Sequence, residues 1–228
     1  PKRDWSSDVC SSDLENYARL AQRINTWLTS TTAAGQLYET DLRLRPDGDS
    51  GLLVSTLTGF RDYQERHAWV WEHQALTRAR FVAGDTVIGA RFEGLRKEIL
   101  CRPRDLASLR SDIAGMREKI HASHPNTSKL FDVKHGHGGI VDVEFVVQFL
   151  VLGHAHQHAA LTGNIGNLAL LKLAAQLGLI NEVDAEGAHA AYRTFRGLQH
   201  ALRLQEARYA RVPHRSEEHT SEIQSRFG

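Results

Sequence analysis

From Tyr17 to Leu28 the apolar positions Tyr17, Leu20, Ile24, Trp27 and Leu28 fall on one helical face. Gly35 breaks that pattern. From Leu37 to Arg45 the period changes to two. Tyr38, Thr40, Leu42 and Leu44 point one way, and Glu39, Asp41, Arg43 and Arg45 the other, which predicts a strand. Pro46 ends it, and Asp47-Gly48-Asp49-Ser50-Gly51 has turn chemistry. Leu52-Leu53-Val54 predicts a second, short strand.

Beyond Ser55 the pattern is almost wholly helical. Helices are expected over Thr56–Arg66 with Ser55 as N-cap, Ala68–Val82, Asp85–Leu100 and Asp105–His121. Phe131–Gly139 is irregular and glycine-rich. It is followed by a very apolar helix over Ile140–His156 and by two more over Ile165–Leu177 and Ala185–Ala210. No solenoid period is present. The class is α+β, mostly α: a small sheet near the N-terminus, then a helical bundle. The junction is expected between Gly84 and Pro103, so residues 15–100 and 101–213 form the two domains.

The two ends lack this patterning. Residues 1–14 are polar with a repeated Ser-Ser-Asp, and residues 214–228 are equally unpatterned. Both resemble translated sequencing-adapter read-through; ordinary disordered tails are the alternative.

Composition narrows the function classes. A chain of 228 residues that is 41% apolar can bury a good core. The net charge of +1, with basic and acidic residues interspersed, argues against a nucleic-acid or anionic-membrane partner. No apolar run approaches the roughly 20 residues of a membrane span. Cys10 and Cys101 make neither a disulfide framework nor a zinc site, which fits a reducing, cytoplasmic compartment.

A strand face bearing Asp41, Arg43 and Arg45 admits two readings. One is a solvated edge strand. The other is a phosphate-handling site, in which Asp41 ligates a divalent metal and the arginines meet a polyphosphate. One carboxylate cannot hold two catalytic metals alone.

The stretch LYETDLRLRPDGDSGLLVSTLTGFRDYQ resembles the third-carboxylate strand and following loop of glutamine synthetase adenylyltransferases. AWVWEHQALTRARFVAGD resembles the helix that follows it there, and FDVKHGHGGIVDVEFVVQFLVL resembles the motif opening the downstream helical domain. With YARLAQRI, the likeness covers roughly residues 16 to 212. That family is bifunctional: one half attaches AMP from ATP to a glutamine synthetase tyrosine, and the other removes it. AWVWEHQAL is more similar to the attaching, C-terminal half.

The resemblance implies part of a DNA-polymerase-β-like nucleotidyltransferase sheet, with Mg2+ as cofactor and ATP as substrate. It implies glutamine synthetase and the PII signalling protein as partners, and glutamine as effector. Asp41 matches the third catalytic aspartate. The D-x-D pair belongs upstream, and Ser12-Asp13-Leu14-Glu15 is a poor match for it. A catalytically incompetent polypeptide is therefore expected. Arg43, Arg45 and Arg80 are candidates for ordering phosphates, although Arg78 and Arg80 equally suit the surface of an amphipathic helix.

The second motif runs Asp132-Val133-Lys134, then Gly136, Gly138 and Gly139, then Asp142 and Glu144. Lys134 could meet a phosphate or a carboxylate. Asp142 could favour the positive end of the following helix. Glu144, in an apolar run, needs a buried partner, for which an Arg or Lys from another helix would serve. The segment suits either a junction at the nucleotide site or structural capping with a buried ion pair. His154, His156 and His158 suit surface histidines at a frayed helix end. Trp69 and Trp71 suit core packing better than base stacking.

Overall fold

The computed structural model describes residues 11–36, 38–42, 45–207 and 209–213. The chain divides into two compact units, one up to Leu100 and one from Cys101 onward.

The first unit opens with α1 (Ser11–Thr29), whose expected apolar face is formed but lies open. Tyr17, Leu20, Ile24 and Trp27 are all exposed, Trp27 to 69%. A two-residue hairpin follows, β1 (Thr31–Thr32) against β2 (Gly35–Gln36), antiparallel, with Thr31 opposite Gln36. Within the strand expected over residues 37–45, the described residues 38–42 carry no ladder, and Leu37, Arg43 and Leu44 lie outside the described residues. The polar groups here turn to α1 instead. Tyr38 N donates to Leu28 O at 3.1 Å, and Thr40 Oγ1 donates to Asn25 Oδ1. Alternation defines a strand only where one face is buried against something, and here Tyr38 and Leu42 are exposed. The second expected strand, Leu52–Val54, is also absent.

The remaining elements of this unit are helices with identifiable ends. In α2 (Leu57–Arg66) the N-cap is Thr56 rather than Ser55; its hydroxyl accepts from Gly59 N at 2.9 Å. The helix expected over Ala68–Val82 is cut to α3 (Val70–Leu76). Arg96, only 3% exposed, explains the stop: its Nε donates to Leu76 O and its Nη2 to Thr77 O, each at 2.7 Å. Carbonyls that would continue a helix are taken by a guanidinium. Arg96 sits on α4 (Thr86–Leu100), with Asp85 Oδ1 accepting from Val87 N and Ile88 N at its start. Leu76, Leu95, Ile99 and Leu100 are buried. Trp69, expected in the core, is 69% exposed, and its backbone N–H donates to Glu72 Oε2 at 2.8 Å at the start of α3.

The second unit is an α bundle pinned by a short ladder. Asp105 caps α5 (Leu106–Ser123), accepting from Ser108 N at 2.8 Å. β3 (Leu130–Asp132) leads through a glycine-rich turn into α6 (Ile140–His154). α7 (Asn167–Gln176) and α8 (Glu182–Leu204) follow, the latter capped by Asn181 Oδ1 on Val183 N. The chain then returns as β4 (Arg211–Pro213), antiparallel to β3, with Asp132 opposite Arg211. α6 is apolar on nearly every side and is accordingly central. Val133, Ile140, Val147, Val151, Leu161 and Leu171 are each at most 2% exposed. Each such side chain contributes roughly 1.5–3 kcal/mol by leaving water.

Candidate functional site

In the first unit Asp41 lies at the surface, on a segment without strand pairing. Arg43 lies outside the described residues. Arg45 is half-buried and serves its own loop: Nε donates to Gly51 O at 3.2 Å and Nη1 to Leu42 O. Arg80 is exposed, beyond the end of α3 rather than on a helix. Among the described residues no three His, Cys, Asp or Glu side chains come together as a metal would require. The described donor set therefore does not fit the expected pair of magnesium ions.

The second unit builds its motif far more tightly. Asp132 is 6% exposed at the end of β3. Its Oδ1 accepts from Lys134 N at 3.0 Å and His135 N at 2.8 Å, and its Oδ2 accepts from Arg211 Nε at 3.3 Å. Burial pushes the Asp132 carboxyl up. The His135 N–H, the Arg211 guanidinium and the Lys134 N–H outweigh it and hold the group below its usual value. Lys134 itself is exposed.

The turn then closes on its own backbone. Gly136 N donates to Asp132 O, Gly139 N to Gly136 O, and Ile140 N to Val133 O, each at 2.9 Å. Gly138 adopts φ +79°, where an L side chain is strained. At Gly139 a Cβ would meet Val133 O at 2.7 Å and Gly136 O at 2.9 Å. Asp142, in the first turn of α6, accepts from Gly138 N and pairs with Arg117 Nε of α5. Arg117 Nη2 also donates to His135 O at 3.0 Å and Gly136 O at 3.2 Å. One guanidinium thus ties α5 to the turn and to the start of α6.

Histidines complete the joint. The rings of His121 and His137 lie 3.9 Å apart, and those of His124 and His135 stack at 3.9 Å. Burial, with His124 and Lys134 adding repulsion, lowers His135 to about 4.

Glu144, expected to need a buried partner, is met by a phenol. Tyr192 OH donates to Glu144 Oε1 at 3.0 Å and accepts from Asn167 Nδ2 at 2.9 Å. Burial and the Glu144 charge push the Tyr192 hydroxyl up. A phenol suits a half-buried carboxylate because its O–H donates to one oxygen at little desolvation cost.

Sequence reasoning missed Arg117, Arg211 and Tyr192. Arg117 carried a usable signal: it continues the Leu109–Ile113 buried stripe at a spacing of four. A cation on an apolar stripe calls for an anionic partner. Arg211 and Tyr192 act across 79 and 48 residues, and local pattern holds no trace of such pairings.

Two family models match the chain. Glutamate-ammonia ligase adenylyltransferase covers residues 7–95, including Asp41, and GlnD PII-uridylyltransferase covers residues 114–226, including the glycine-rich turn. Similar curated proteins are bifunctional glutamine synthetase adenylyltransferase/adenylyl-removing enzymes. That of Nitrosomonas eutropha is 61% identical over 191 residues, 84% of this chain and 21% of that protein. That of Bordetella bronchiseptica is 59% identical over 199 residues, 87% of this chain and 21% of that protein. That of Nitrosomonas europaea is 61% identical over 188 residues, 82% of this chain and 20% of that protein. The chain spans about a fifth of the length of these relatives. Residues 7–95 thus match the glutamate-ammonia ligase adenylyltransferase family model, and most of the chain is similar to a fifth of the bifunctional glutamine synthetase adenylyltransferase/adenylyl-removing enzymes.

Proposed function

We propose that this chain is a segment of the adenylylating half of such an enzyme, which transfers AMP from ATP to a tyrosine of glutamine synthetase in the cytoplasm. The observation that carries the reading is the high identity to enzymes of that name across both the Asp41 segment and the glycine-rich motif. The tryptophan-rich start of α3 favours the attaching half over the removing one. In a longer enzyme, Asp41 belongs to the catalytic carboxylates, Arg43, Arg45 and Arg80 order phosphates, and Lys134 is a further phosphate ligand. Asp132, Gly138, Gly139, Asp142 and Glu144 shape the helical domain.

The 228-residue polypeptide alone is inactive on this reading, because the family's D-x-D pair has only the poor match Ser12-Asp13-Leu14-Glu15 in it. Incubation with labelled ATP, magnesium and glutamine synthetase should leave glutamine synthetase unlabelled. Robust magnesium-dependent labelling would overturn the inactivity. In a full-length relative, Asp41→Asn at the matching position should abolish AMP attachment and leave phosphate-dependent AMP removal intact. The reverse pattern would assign the segment to the removing half.

A second reading rests on the match of residues 114–226 to the PII-uridylyltransferase model. On it the helical unit is a regulatory module that binds the PII signalling protein, with glutamine as effector. Retention of the chain on immobilised PII, changed by glutamine, is the expected result; no retention would remove it.

A further inference from the structure

Within the second unit, α5 presents Arg110, Ile113, Ala114 and Arg117 along one face, the i, i+3, i+4, i+7 spacing of a helical stripe. α6 faces it with Asp142, Phe145, Val146 and Phe149 at the same spacing. Between the two stripes runs a cleft of about 420 Å³. That lies within the roughly 300–1,000 Å³ of small-molecule sites, which pair apolar walls with a few placed polar groups.

The charges in this cleft do not cancel. Two guanidiniums face one carboxylate, and Asp142 is already paired with Arg117 and with Gly138 N. The Arg117 side chain is 8% exposed. Its Nε and Nη2 are committed, but Nη1 is buried with no hydrogen-bond partner. That guanidinium charge is therefore only partly offset within the fold, which leaves the cleft wall attractive to an anion. Arg110, exposed, lies two turns away, about 10 Å along the helix. Phe145 and Phe149 are half-buried, and Val146 is 41% exposed.

We propose that the α5–α6 cleft binds a small amphipathic acid. Its carboxylate is held by the exposed Arg110 guanidinium, with the Arg117 charge behind the wall adding attraction, and its apolar body, a ring or a short alkyl chain, lies on Phe145, Val146 and Phe149. The site does not depend on AMP transfer, and its test needs no activity.

The probe is 4-phenylbutyrate, titrated into the full chain and followed by methyl NMR. Saturable shifts are expected at the methyls of Ile113, Ala114 and Val146. Arg110→Gln, which leaves the Arg117–Asp142 pair intact, should weaken binding about threefold to fivefold, as should replacing the acid by 4-phenylbutyramide. Val146→Glu, which puts a carboxylate on the cleft wall, should abolish the shifts while circular dichroism shows the helices intact. Shifts centred elsewhere, equal binding of acid and amide, or wild-type binding by both variants would each overturn the proposal.

Discussion

Arg117 illustrates how one side chain can carry a joint. Its guanidinium serves a carboxylate on α6 and two carbonyls of the glycine-rich turn, so truncation leaves three acceptors to be solvated at once. Asp142 keeps 28% side-chain exposure and can partly rehydrate, which limits the loss. Arg117→Ala should therefore destabilise the second unit by about 2–3 kcal/mol, read from urea unfolding. Arg117→Lys should recover only a minor part, since an ammonium cannot span the same three oxygens. His135 acts at the same joint through pH. It stacks on His124 beside Lys134 and Arg117, with only Asp132 in favour of its charge, and is lowered from 6.5 to about 4. On acidification the unfolded chain takes up this proton first. Stability is full above pH 6.5, falls as the pH drops toward about 4, and has no further contribution from this group below. Thermal melts from pH 7 to 4 should show that fall, and His135→Gln should flatten it. An unchanged slope in the variant would count against the assignment.

At the level of elements, what the sequence made legible followed from local chemistry. α4, α5 and α6 begin within one residue of expectation because Asp85, Asp105 and Gly139 mark their starts. α3 stops six residues early because its terminator, Arg96, comes from another helix. The β3–β4 ladder was invisible for the same reason: its partners are 79 to 83 residues apart in the register, and three-residue strands have no period to detect. The glycine-rich segment was legible as unusual, but not for what each glycine does. Gly138 needs a left-handed dihedral, and Gly139 needs room beside two carbonyls. Gly138→Ala should cost about 1–2 kcal/mol, the dihedral penalty alone. Gly139→Ala should cost more, because backbone rather than a flexible side chain must move, and Ile140 N→Val133 O would be strained with it. Paired denaturation curves would test the order; equal or inverted losses would contradict it.

For the whole molecule, the deciding fact is where apolar surface is buried. The first unit buries Leu76, Leu95, Ile99 and Leu100, all in α3 and α4, while the apolar face of α1 stays in water. The second unit buries a continuous cluster from Val133 through α6 and α7 to Tyr192. The motif likeness pointed to the enzymes that the chain is similar to, yet periodicity in α1 and in residues 37–45 marked faces that the described residues do not cover. A hydrophobic pattern records that a face is to be covered, not whether the covering partner is at hand. Local stability should follow burial rather than pattern strength. Native-state hydrogen exchange should find the slowest amides in α6, at Val147 to Leu152, and fast exchange throughout α1 despite its regular amphipathic stripe. Each 1.4 kcal/mol of local stability changes the exchange rate about tenfold, so a gap of several kcal/mol is readily resolved. Comparable protection in α1 and α6 would mean that the Tyr17–Leu20–Ile24–Trp27 face is covered in solution. The Asp41 segment would then be held beside a covered face, since it is anchored to α1 through Leu28 and Asn25.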